Sequence, residues 1–270
     1  MAQQPADENL VKQLALSHSK RGKVALARGR WEEARVHFTK ALELLESPGM
    51  KWADVVDHRR TLAVSYTELA ELELMLQDLD AAAALYGRAM AHFEKNKGPY
   101  NEALLALTLG SLGEVARKAG DVEAAEIHLR RALGLGRDCF ESQGNQFFRW
   151  VLARVLVESA ELQVARGQHE AAEGYYREAQ ALGRELRQGE PENKRYALVL
   201  AHGLRGHEEL AQARGDCERA DRLRMERCAV VGYFVGKDGA DVRFQALACQ
   251  GSRKKSEGAL DSSADGIHGK

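Results

Sequence analysis

The stretch Gly29-Arg30-Trp31-Glu32-Glu33-Ala34-Arg35-Val36-His37-Phe38-Thr39-Lys40-Ala41-Leu42 decides the fold. Its glycine releases one helix through a conformation that only glycine adopts cheaply, and a new helix begins at Trp31. Ala34, Phe38 and Ala41 then fall at i, i+4 and i+7, on one helix face. Two alanines let a partner helix come close while the ring between them fills the remaining space. The same pattern returns as Ala82/Tyr86/Ala89, Ala125/Leu129/Ala132 and Ala172/Tyr176/Ala179, and it breaks in a fifth copy, Ala220/Arg224/Arg227.

Working outward, the leading alanines Ala34, Ala82, Ala125, Ala172 and Ala220 lie 48, 43, 47 and 48 residues apart. Five residues before each sits a turn position: Gly29, Gln77, Gly120, Gly167 or Gly215. Counting back fifteen from each turn gives Leu14, Leu62, Leu105, Leu152 and Leu200. Seven before the turn, where two helices must cross closely, stand Gly22, Ala70, Gly113 and Ala160, with Glu208 breaking the run. The chain is thus one helical hairpin written five times, and such units bury their apolar faces by stacking on their neighbours.

Proline placement agrees with this division. Pro48, Pro99 and Pro191 fall between units and Pro5 near the amino terminus, so no expected helix interior carries one. Ten helices are expected, over residues 8 to 28, 31 to 46, 51 to 76, 79 to 96, 101 to 118, 122 to 141, 146 to 166, 169 to 187, 192 to 214 and 217 to 235. They make units of about 8–46, 51–96, 101–141, 146–187 and 192–235. Residues 1–7 are expected to be a disordered N-terminus, residues 236–250 to hold a short capping helix, and the Gly- and Ser-rich residues 251–270 to be a disordered tail. In the last unit Glu208, Arg224 and Arg227 suggest a solubilising polar cap, with Val230, Val231, Tyr233 and Phe234 supplying its apolar contacts.

Leucine, a small residue, then Gly, Ala, aromatic and Ala at these spacings resembles the tetratricopeptide repeat, and Gly29 to Leu44 is a close match to its second half. The period departs from that family's usual unit of about 34 residues. The additional length falls in segments such as Trp52 to Arg60, which contain no Gly or Pro and so extend helices rather than loops. Lengthened units of this kind are similar to those of kinesin light chains. The resemblance implies an all-α, right-handed α-solenoid of five hairpins that acts as a protein–protein interaction scaffold or adaptor. A segment of a partner protein would lie in its concave groove. The alternative it leaves open is a chaperone or regulator that sequesters an effector protein.

Composition narrows the class. The chain is 44% hydrophobic and 29% charged, with 6% aromatics, which suits helices that bury one stripe and expose the rest. A formal net charge of −1 offers no electrostatic attraction to nucleic acid or to an anionic membrane. Residues Met1 to Asn9 are polar, and no run of about 18 apolar residues occurs. A cytoplasmic protein is expected. Cys139, Cys217, Cys228 and Cys249 show no metal or redox spacing and read as reduced thiols.

No catalytic or cofactor constellation stands out, and an enzyme is not expected. His207-Glu208-Glu209-Leu210 starts like a zinc-protease helix, but the position that must carry a second histidine is Ala211. His169-Glu170 fails in the same way at Glu173. Phe140, Phe147, Phe148 and Trp150 surround a junction between units, where they either pack consecutive units together or line a pocket.

By the resemblance, the residue six before each turn points into the groove: Lys23, Glu71, Glu114, Glu161 and Glu209. Thr67, Arg117, Arg154 and Arg205 are taken as neighbouring groove positions, where the arginines either partly neutralise the glutamates or clamp a carboxylate of the ligand. Helix surfaces are rich in glutamate, so a solvated face is one reading of this column. A single-signed stripe that binds a segment carrying Lys or Arg is the other, because concave walls focus such a field. The family's clamp for a chaperone tail is not reproduced, since its Lys and Asn pattern is absent at Ser19, Lys23 and Glu71.

Overall fold

A computed structural model describes residues 8–48, 52, 54–237 and 241–249. Among these residues the chain is helical throughout, without strands. Its helices are α1 (Glu8–Ala27), α2 (Trp31–Leu45), α3 (Val55–Met75), α4 (Leu79–Glu94), α5 (Pro99–Lys118), α6 (Val122–Gln143), α7 (Gln146–Ala165), α8 (His169–Gly189), α9 (Lys194–Ala213), α10 (Cys217–Lys237) and α11 (Val242–Gln245). The segments at 1–7 and 251–270, expected to be disordered, lie outside the described residues. Trp52 precedes α3, which starts only after Asp54 caps it by accepting from the Asp57 backbone N–H at 2.9 Å.

Local chemistry sets the turns. Gly29, Gln77, Gly120, Gly167 and Gly215 all have φ between 65° and 85°, the left-handed region. Each turn carries the same bonds, for example Gly120 N–H to the Arg117 carbonyl and Asp121 N–H to that of Ala116. Asp78 and Asp121 then cap the helices that follow. Gln77 is the one non-glycine residue with positive φ among the described residues.

Packing follows the columns. Ala34, Ala82, Ala125, Ala172 and Ala220 are buried, as are Ala41, Ala89, Ala132 and Ala179. The small column is a steric necessity: a Cβ on Gly22 would come within 2.5 Å of the Phe38 ring, and one on Gly113 within 2.5 Å of Leu129 Cγ. Each odd-numbered helix packs on the even-numbered helix after it, and α3 to α9 each also touch the helix before them. From α1 to α9 consecutive odd-numbered helices touch one another as well, whereas no comparable contact recurs among the even-numbered ones. The odd-numbered helices therefore form the inner wall of a curved array.

Curvature carries the chain far round. Val242 Cγ1 of α11 lies 3.1 Å from where a Cβ on Gly29 would stand, so the C-terminal segment reaches the first hairpin's turn. No helix of the described residues is long and apolar enough to cross a membrane.

Four expectations are corrected. Leu14 is 47% exposed, since among the described residues no helix precedes α1 to cover it, while Leu62, Leu105, Leu152 and Leu200 are buried. In the last hairpin Glu208 and Arg227 are only 5% and 8% exposed, so they are an internal ion pair and not a polar outer face. Tyr233 is exposed there, leaving Val230, Val231 and Phe234 to pack beneath Phe244, whose ring stacks on Phe234 at 4.6 Å. Cys228 and Cys249 form a disulfide that fastens the segment after α11 to α10, so they are not the free thiols expected; Cys139 and Cys217 are free.

Candidate functional site

The inner wall gathers charge. Lys23 of α1 pairs with Glu68 of α3 at 2.6 Å. Thr67 donates its hydroxyl to the Val64 carbonyl at 2.7 Å, closing on its own helix. Glu114 of α5 accepts from Lys118 at 2.9 Å, Arg117 pairs with Glu161 of α7, and Arg205 lies 3.5 Å from Glu209 on α9. Glu71 of α3 is exposed and faces the field of Arg154 on α7. Acids and bases thus alternate across the wall, with Arg117 and Arg154 set against the glutamates of neighbouring helices.

Electrostatics are strongest around α7. Burial alone would lower the affinity of the Arg154 guanidinium for its proton, but Glu71, Glu158 and Glu114 face it and push its pKa upward. Glu158, one helical turn further on, is held well above the usual carboxylate range by burial, with Glu114 and Glu161 adding repulsion that Arg154 and Arg117 only partly offset. Glu161 is raised for the same first reason, against the pull of Arg117. Glu114 goes the other way: burial opposes it, yet Lys118, Arg154 and Arg117 hold its pKa down. Glu158 Oε2 is buried without a hydrogen-bond partner. His202 of α9 keeps an exposed side chain on the same wall, where crowding by the surrounding helices and the charges of Arg205 and Arg154 push its pKa down.

Glu158, Lys118 and His202 were not singled out from the sequence. A signal existed for Glu158, which stands four residues after Arg154 and three before Glu161, on the same helix face. For His202 spacing gives only Arg205, three residues on along α9; its other charged neighbours, Arg154, Glu114 and Lys118, belong to other helices. The aromatic cluster packs consecutive hairpins: Phe148 is buried, Phe147 stacks on Tyr100 at 4.9 Å, and Trp150 joins the same cluster.

Helical hairpins stacked in sequence, with short left-handed turns and a charged inner wall, define an α-solenoid of the interaction-scaffold class. Tetratricopeptide-repeat models match residues 15–47 and 60–138, so these stretches are tetratricopeptide repeats. No curated protein matches it significantly. Among solved structures it is similar to BtubC (BKLC) from P. vanneervenii, at 18% identity over 85% of this chain and 84% of that one, with a TM-score of 0.60. The apo form of RapI is similar at 13% identity over 91% and 85%, with a TM-score of 0.54. TPR-like repeats of a putative kinesin light chain from Podosopora anserina align at 15% identity over 84% and 97%, TM-score 0.46. At these identities the likeness is one of fold.

Proposed function

We propose that this protein–protein interaction array holds an extended segment of a partner protein against its inner wall, and that the segment presents Lys or Arg to Glu114, Glu158 and Glu161. Support comes chiefly from Glu158: a carboxylate oxygen left without a donor, between two further carboxylates, is completed by an incoming cationic N–H group. Glu71 and Glu209, exposed at either side, extend the acidic path over neighbouring hairpins. A cation beside Glu158 favours its charged form, so binding releases a proton over the pH range in which the raised pKa keeps that carboxyl protonated.

A display library of linear peptides, panned against the full chain at low salt, tests this. The enriched peptides are expected to carry Lys or Arg, to release protons on binding in calorimetry, and to bind roughly tenfold more weakly to Glu158→Gln. Enrichment of acidic or uncharged peptides, or equal affinity for Glu158→Gln, would sink the proposal. The same substitution has a stability signature. Glu158 takes up a proton on folding, so its contribution is present at low pH and is lost as pH rises from the ordinary carboxylate value through its raised one. Glu158→Gln is therefore expected to lessen the fall in melting temperature between acidic and mildly basic pH.

A further inference from the structure

Away from the inner wall, α8, α9 and the start of α10 enclose a pocket of about 370 Å³ lined by Glu173, Arg177, His207, Arg214, Asp216 and Arg219. Glu173 sits among three guanidinium groups: Arg214 Nη1 at 2.9 Å, with Arg177 and Arg219 also paired to it. Asp216 takes a second contact from Arg219, at 3.2 Å. Three arginines against two carboxylates leave positive charge in excess, with nothing further in the pocket to absorb it.

The buried histidine supplies an independent observation. His207 is 5% exposed, and its ring stacks on Tyr176 with centroids 5.9 Å apart. Its Nδ1 lies 3.0 Å from Gln180 Nε2. The Gln180 amide is oriented by its other contacts, since Nε2 donates to the Gly203 carbonyl at 3.1 Å and Oε1 accepts from Arg184 at 3.4 Å. Nδ1 must then be the acceptor of that amide, which puts the ring proton on Nε2. Nε2 is buried without a partner. An unused N–H donor in a wall where three arginines outnumber two carboxylates asks for an acceptor that is also negatively charged.

We infer that this pocket is a binding site for an oxyanion, a carboxylate or phosphate group of a ligand, held by Arg177, Arg214 and Arg219 with His207 Nε2 donating to it. Its occupant is opposite in charge to the cationic segment proposed for the inner wall, and the two sites stand or fall separately. Inorganic phosphate and acetate serve as probes, titrated separately into the full chain. The readouts are calorimetry and the nitrogen-15 signals of the histidine rings, with His207 assigned by its loss in His207→Gln. Saturable movement of the His207 signal is expected with at least one probe, and the stronger of the two identifies the source as phosphoryl or carboxylate. Arg177→Gln and Arg214→Gln remove partly exposed side chains while Arg219 still pairs with Glu173, so the fold is retained. Each is expected to weaken binding about tenfold, while Arg222→Gln, outside the pocket, leaves it unchanged. A His207 signal that moves with neither probe, or equal affinity in both arginine variants, overturns the site.

Discussion

The third hairpin and the last one solve the same crossing by opposite means. In the third, Gly113 lets Leu129 press against the backbone of α5, with no polar group involved. In the last, Glu208 fills the equivalent place and meets Arg224 Nε at 2.9 Å and Arg227 Nε at 3.0 Å, while Arg227 also donates to the Leu247 carbonyl. Interior hairpins have neighbours on both sides, so close steric fit suffices. The last has on one side only the C-terminal segment, and charged hydrogen bonds together with the Cys228–Cys249 disulfide hold that segment where a further helix would otherwise pack. A repeat array can thus end by binding its own tail, not only by turning a polar face to water.

Breaking the ion pair is expected to have the largest effect. Glu208→Ala strands Arg227, a buried cation, and should cost about 3–5 kcal/mol in urea unfolding. Combining Glu208→Ala with Arg224→Tyr and Arg227→Ala, which restores the pattern of the interior hairpins, should recover most of that loss. A triple variant as unstable as the single one would show that the charges do more than replace a steric fit. Next comes the disulfide. Its 21-residue separation makes its reduction, or Cys228→Ser, worth about 3 kcal/mol by loop entropy. Limited proteolysis of the reduced chain should then cut after α10 first. Equal melting with and without reductant would mean that the packing of Phe244 and Leu247 holds the segment alone.

In the interior hairpins Gly113→Ala drives a methyl into Leu129 and is expected to cost about 1–3 kcal/mol, as is Ala125→Leu at the neighbouring column. Unchanged stability in both would show that the crossing yields. The smallest effect separates one turn from the other four. Gln77 holds a φ of 65° where its counterparts are glycine, so Gln77→Gly should stabilise by about 0.5 kcal/mol, strain relief slightly exceeding the added freedom of the unfolded chain. A loss of stability would mean that the Gln77 side-chain bond to the Leu74 carbonyl outweighs the strain.

How much was legible follows from distance along the chain. Turn residues and the alanine, leucine and aromatic columns act through neighbours within one hairpin, where helical periodicity puts them on a common face. Leu14 and Glu208 departed from expectation because each stands in a terminal hairpin, and periodicity carries no information about which neighbour is missing. Arg117, Arg154 and Arg205 were legible as groove positions beside the glutamate column, but spacing within a helix cannot reveal that Arg117 meets Glu161, 44 residues on, or that Arg154 faces Glu71 from two hairpins away.

The sequence by itself determined the repeating hairpin, its turns and the buried face of each helix, because those depend on short-range backbone geometry and on side-chain size. Only the tertiary structure decided which charges pair across the inner wall, that Glu158 keeps an unfilled oxygen, that three arginines and His207 enclose a pocket, and that Val242 returns to Gly29. The physical reason is accumulation. Each hairpin is rotated a little from the last, and the sum of those rotations, fixed by packing at every junction, brings together residues that no local pattern relates.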